Sequence, residues 1–212
     1  MRRTSLLLLL VAGLVVACGG SSGGSSSGVT TVNFVGNSTC PTSGNSPYSP
    51  SPPDTNSAPV GQPIDEMPHV HVAPPTQITY NHNPPTSGCH YSLGTGTAPI
   101  PPGIHPPTPA IAPEYWVHNL EHGYIVISYN CPNGCTSDLQ TLNAWYHTLP
   151  SDPGGGVPYA KVIAVSDPQQ KETFDVESWD WFDPIGSTLN MNEVIKFYNN
   201  HVNQAPEGAG TA

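Results

Sequence analysis

The chain has 212 residues and a formal net charge of −10, with 15 acidic side chains against 5 basic ones, 26 prolines, 9 histidines and 5 cysteines. Both arginines, Arg2 and Arg3, sit at the extreme N-terminus, so Lys161, Lys171 and Lys196 are the strong cations of all that follows. Nucleic-acid binding needs Lys and Arg to neutralise phosphates, and bidentate anion recognition favours Arg, so this composition excludes a nucleic-acid partner.

In chain order, Arg2 and Arg3 precede an apolar run from Leu6 to Ala17 that is too short to span a bilayer comfortably and ends Val15-Val16-Ala17-Cys18. Residues 1–17 read as a secretion signal. The small residues before the cysteine resemble a bacterial lipobox, which implies cleavage before Cys18 and lipid on that thiol; a plain secretory signal is the alternative. The mature protein is then expected to be exported and lipid-anchored to the cell-envelope membrane, periplasmic or cell-surface. Residues 18–60 begin with a Gly/Ser run and stay rich in Ser, Thr, Asn and Pro, the composition of a flexible tether. A single histidine-rich domain is expected over residues 61–207, with 208–212 as a disordered tail.

Nineteen of the 26 prolines lie between Pro41 and Pro113, where missing amides favour polyproline-like loops and isolated short strands. Regular structure is legible after them. Tyr124–Tyr129 is a short β-branched and aromatic run, read as a buried strand. A helix follows from about Ser137 to Leu149, with Leu139, Leu142, Trp145, Tyr146 and Leu149 on its apolar face, and Pro158–Val165 reads as a second strand. Beyond an unassigned aromatic segment around Trp179, Trp181 and Phe182, Asn190 can cap a last helix that turns Met191, Val194, Ile195, Phe197 and Tyr198 inward. The expected fold is α+β, or α/β: a small sheet with two packed helices, preceded by a proline-rich irregular layer that carries histidines.

Four cysteines remain beyond Cys18, an even number suited to an oxidising compartment. Cys131-Pro132-Asn133-Gly134-Cys135 can close on itself, leaving Cys40 to pair with Cys89, although four cysteines allow three connectivities. The alternative for the C-x-x-x-C pair is a metal–thiolate site.

Seven histidines, His69, His71, His82, His90, His105, His118 and His122, fall in one block. His69 and His71, two apart, share a face in extended backbone, and Met67 on that face adds a soft thioether donor suited to copper. His90 follows the Pro84-Pro85-Thr86-Ser87-Gly88 turn and a cysteine, a stiff anchor for a ligand. His82, between two asparagines, reads as solvent-exposed, and His147 and His201 as surface residues of the two helices. His118-Asn119-Leu120-Glu121-His122 matches the H-x-x-E-H signature of inverted zinc peptidases, which needs a helix to bring i and i+4 together. Pro113 upstream and Gly123 downstream leave room for a single turn, so the peptidase reading is rejected. One turn still joins His118 to His122, with Glu121 as ligand, partner to an imidazole, or general base.

His71, Tyr80, Pro84-Pro85-Thr86-Ser87-Gly88 with His90, Val117-His118-Asn119-Leu120-Glu121-His122-Gly123 with its strand, and Ala205-Pro206-Glu207 together resemble the bacterial domain-of-unknown-function family numbered 3105, over roughly Asp65 to Glu207. The resemblance implies an exported or membrane-anchored protein and maps the family pattern onto His71, His90, His118, Glu121 and His122, with His69 beside them. Two departures stand out: the family's Cys-Gly-x-Tyr segment gives way to the prolines around His105, which either substitutes for that cysteine or sits in a loop, and the Ala-Trp-Gly segment survives only as Ser178-Trp179-Asp180.

Three functions fit. The first is a membrane-tethered lipoprotein holding copper or zinc through His71, His90, His118 and His122, with His69 and Met67 as further donors, for binding, delivery or storage. The second is an exported metalloenzyme with an open metal position and Glu121 carrying a proton. The third is a surface interaction module whose histidines only close hydrogen bonds.

Overall fold

The computed structural model describes residues 40, 41, 48, 60–92, 98–152 and 156–208. The expected signal, Cys18 as the expected lipidation site and nearly all of the expected tether lie outside the described residues. In chain order the elements are β1 (Gln62–Pro63), β2 (His71–Val72), β3 (His90–Tyr91), β4 (Gly103–Ile104), α1 (Pro113–Glu121), β5 (Ile125–Tyr129), α2 (Thr136–Tyr146), β6 (Val162–Ser166), β7 (Phe174–Ser178), β8 (Trp181–Gly186) and α3 (Met191–His201).

The β-branched runs of β5 and β6 pair in parallel, and α2 is the crossover that parallel pairing requires. Strands β7 and β8 add as an antiparallel hairpin on the other side of β5, giving a mixed sheet of order β1-β8-β7-β5-β6-β4. Alternation along β5 and β6 splits the core into two layers. Ile125, Ile127, Tyr129, Val162 and Ala164 join Leu142, Val194 and Phe197 of α2 and α3, whereas Val126, Ile163 and Val165 join Ile78, Tyr80, Trp116, Val117 and Leu120. The fold is α+β, as expected, with the proline-rich layer and α1 covering one face of the sheet.

That layer makes four two-residue strands. Pro63 lies in β1, an edge strand, where a missing amide is tolerated. Strands β2 and β3 form a separate parallel pair that matches His71 with His90.

The structure differs from these expectations at four places. The helices number three among the described residues, because α1 runs nine residues where a single turn was expected. Pro113 does not block that helix but starts it: at the first helical position its missing amide is one the helix leaves unpaired anyway, and its fixed φ suits the turn. The aromatic segment around Trp179 is the β7–β8 hairpin, with Trp179 and Asp180 as its turn and Asp180 at φ 62°. His201 is 1% exposed rather than on the surface, its Nε2 donating to Val60 O at 2.7 Å between Trp181 and Phe197. His82 is half-buried, its Nδ1 donating to Pro84 O at 2.6 Å and its ring 4.4 Å from Phe182, while His147 is exposed.

Cys131 pairs with Cys135 and Cys40 with Cys89. Gly208, one residue past Glu207, is buried, and its carbonyl accepts from Lys161 Nζ at 2.6 Å. Lys161 itself is fully buried, and also donates to His122 O at 2.9 Å and Asn203 Oδ1 at 3.0 Å, with Asp152 3.7 Å away.

Candidate metal centre

The site is assembled from three backbone pieces whose registers the local sequence sets. The parallel pairing of β2 with β3 puts His71 beside His90, with ring centroids 4.9 Å apart. The Pro84–His90 turn is locked from behind: Gly88 has φ 131°, a Cβ there would stand 2.9 Å from the Tyr80 ring, and the Tyr80 hydroxyl donates to Cys89 O at 2.9 Å. Ser87 Oγ accepts the Met67 amide at 2.9 Å. Across from β3, helix α1 presents His118, Glu121 and His122 from positions i, i+3 and i+4 of one face. Its Trp116, Val117 and Leu120 go to the core, and Asn119 clamps the neighbouring loop by accepting from Ile100 N at 3.0 Å and donating to Ile100 O at 2.9 Å.

Glu121 is the hub. Its Oε1 lies 2.9 Å from His69 Nδ1, and its Oε2 lies 2.9 Å from His90 Nε2 and 3.7 Å from His71 Nε2. His71, His90, His118 and Glu121 each offer one ligand atom, and these atoms all lie within 4.8 Å of one another, so the group can hold a metal ion. His90, His118 and Glu121 are buried and His71 is exposed. His122 adjoins the group from its far side, with its Nε2 2.9 Å from His118 Nε2 and 3.8 Å from Glu207 Oε2.

The rings are oriented by carbonyls, which only accept. His90 Nδ1 donates to Gly88 O at 2.8 Å and His118 Nδ1 to Tyr91 O at 2.5 Å, so both rings present Nε2 inward. A lone pair on His90 Nε2 facing a carboxylate oxygen at 2.9 Å is repulsive, so a proton or a metal ion has to lie between them. Burial holds His118 neutral, its pKa pushed down to about 3, with His90 and His122 adding to the effect against the Tyr91 carbonyl and Glu121. For Glu121 burial acts upward, but the hydrogen bond and charge of His90, the hydrogen bond of His69 and the charge of His118 outweigh it and bring the carboxyl down to about 2. Burial also lowers His122. A neutral His118 beside an ionised Glu121 matches the protonation states that metal ligands require.

The remaining sequence candidates are placed as follows. Met67 Sδ accepts the Asn81 amide at 3.2 Å. His105 follows β4 and donates from Nε2 to Pro101 O at 2.8 Å, apart from the cluster, and the Cys131–Cys135 pair is a disulfide rather than a metal–thiolate. The nine-residue helix supplies the context that H-x-x-E-H was expected to lack. Glu121, however, is engaged by His69 and His90, and His122 stands outside the four-ligand group. The orienting carbonyls of Gly88 and Tyr91, and the role of Lys161, carry no side-chain signal that the sequence offers.

A family model described as protein of unknown function (DUF3105) matches residues 71–212, more than half of the chain, and the chain belongs to that family. No curated protein and no solved structure matches.

Proposed function

We propose that this DUF3105 protein is an exported lipoprotein that binds a transition metal, zinc or copper, at His71, His90, His118 and Glu121, with His69 and His122 flanking the ion. The observation that carries the reading is the pair of backbone carbonyls that hold His90 Nδ1 and His118 Nδ1 and leave each Nε2 facing another metal-ligating atom, Glu121 Oε2 and His122 Nε2, at 2.9 Å in both cases. A histidine used only as structural filler does not need its ligand atom aimed at another ligand atom. Three imidazoles and one carboxylate suit zinc and copper(II), and with Met67 Sδ turned to Asn81 no soft donor favours copper(I). Four protein ligands at one position fit holding or delivering the ion, and the low carboxyl pKa of Glu121 suits a permanent anionic ligand better than a proton carrier.

Purified full-length protein is expected to contain close to one equivalent of zinc or copper by mass spectrometry of metals, and to rebind it after chelation. His90→Ala, His118→Ala and Glu121→Gln are each expected to weaken binding by about 10-fold or more, while His147→Ala changes nothing. Absence of any bound zinc or copper after loading overturns the reading. The anchor is tested separately: Cys18→Ser is expected to move the protein from the membrane fraction to the soluble envelope fraction.

A further inference from the structure

The second half of the domain sets Cys131 and Cys135 where a reactive thiol pair would be placed. Strand β5 ends at Tyr129, the Cys131-Pro132-Asn133-Gly134-Cys135 turn follows, and Cys135 is the N-cap residue immediately before α2, the crossover to parallel β6. The antiparallel β7–β8 hairpin and α3 complete the unit. A closely spaced cysteine pair at the strand–helix junction of a β-α-β unit is the arrangement of thiol–disulfide oxidoreductases; here one more residue separates the cysteines, and the likeness is one of topology alone. Two further observations are independent of it. Both sulphur-bearing residues are half-exposed, in contrast to the fully buried Cys89. They also line a cavity of about 540 Å³ whose other walls include Ile104, His105, Pro107, Leu139 and Ala144. A disulfide enclosing so few residues restricts the unfolded chain far less than one enclosing a long loop, so fold stabilisation accounts for it poorly.

We propose that the Cys131–Cys135 disulfide is a thiol–disulfide exchange site that oxidises a dithiol carried on an extended, apolar peptide segment seated in the adjoining cavity. A substrate thiolate attacks Cys131 Sγ, a mixed disulfide forms, and the Cys131–Cys135 bond breaks to release Cys135 as thiolate. The free amides at the start of α2 favour that leaving group. The second substrate thiol, once deprotonated, attacks the substrate sulphur of the mixed disulfide and releases Cys131. The substrate leaves as a disulfide, oxidised by two electrons. The protein pair is reduced to two thiols, which carry the two substrate protons.

The test uses the full chain in graded dithiothreitol, with alkylation and mass spectrometry, and Cys40–Cys89 as the internal reference. Cys131–Cys135 is expected to open in the folded protein at reductant concentrations at least 10-fold below those that open Cys40–Cys89. Reduction of both together, or only on unfolding, overturns the proposal. With a peptide bearing cysteine between leucines, supplied as its mixed disulfide with thionitrobenzoate, Cys135→Ser is expected to release thionitrobenzoate and retain the peptide on Cys131, and Cys131→Ser to retain several-fold less; equal retention, or none, overturns the assignment. Ala144→Trp, on the exposed side of α2, is expected to slow exchange with that peptide several-fold while leaving exchange with glutathione unchanged, and equal slowing of both removes the cavity from the proposal.

Discussion

Glu121 and His118 push the stability of the metal-free protein in the same direction with pH. Their pKa values lie at about 2 and about 3 in the folded protein, against ordinary values of 4.5 and 6.5. Both are depressed, so the unfolded chain binds more protons on the acid side. The stability present above pH 6.5 is lost through His118 as pH falls toward 3, and through Glu121 as it falls from 4.5 toward 2. Urea unfolding at pH 7, 6, 5 and 4 is expected to show stability falling with pH, with a shallower slope in His118→Gln; an unchanged slope removes His118 from this account. Asp175 acts in reverse. Burial, with the charges of Glu172, Asp167 and Asp183, raises its carboxyl to about 7, so its ionisation costs stability as pH rises from 3.8 to 7. Asp175→Asn is therefore expected to raise the melting temperature by several degrees at pH 8 and by little at pH 4. Among single residues the sequence made His71, His90, His118, Glu121 and His122 visible, because clustered histidines at spacings of two and four are legible without coordinates. Glu121 as the hub was not legible, since it depends on His69 and His90 arriving from a distant part of the chain.

At the scale of elements, α1 is the part that most depends on others. Its last carbonyls are satisfied from outside: Glu207 N donates to Glu121 O at 3.0 Å, Lys161 Nζ donates to His122 O, and Asn203 N donates to Gly123 O at 2.9 Å. Gly123 permits this approach, with φ 78° and an added Cβ only 2.6 Å from Asn203 Cα. Gly123→Ala is expected to cost about 2–4 kcal/mol in urea unfolding and to weaken metal binding along with it. Lys161→Met is expected to cost about 3–5 kcal/mol, because it leaves the Asp152 carboxylate buried beside its lost partner. A cost under 1 kcal/mol for Lys161→Met contradicts the arrangement. Strand β5 and helices α2 and α3 were legible from apolar periodicity, within a few residues at their ends. The β7–β8 hairpin was not read: Phe174-Asp175-Val176-Glu177 does alternate apolar with acidic residues, but the run is short, and the acidic face that such alternation assigns to solvent is buried. Pro113 was misread because a proline blocks a helix interior but suits a helix start, and only the flanking structure distinguishes the two positions.

For the molecule as a whole, the two disulfides divide the labour unequally. Cys40–Cys89 spans 49 positions and ties the lead-in to the turn behind His90, while Cys131–Cys135 spans 4. Loop-closure entropy assigns about 4 kcal/mol to the first and about 2 kcal/mol to the second. The double alanine variants of each pair, compared by urea unfolding, are expected to differ in that order. The capping of α1 by residues 203–208 has a consequence for how the protein is made. The histidines of α1 emerge from the ribosome long before the segment that satisfies the end of their helix, and Lys161 gains its Gly208 acceptor later still. A nascent chain therefore has His118 and Glu121 on an unfinished helix. On the exported reading, where the signal sends the chain across the membrane unfolded, the pocket closes only after the last of the domain has crossed. The ion it takes up is then chosen from the metals of the destination compartment rather than from those of the cytoplasm.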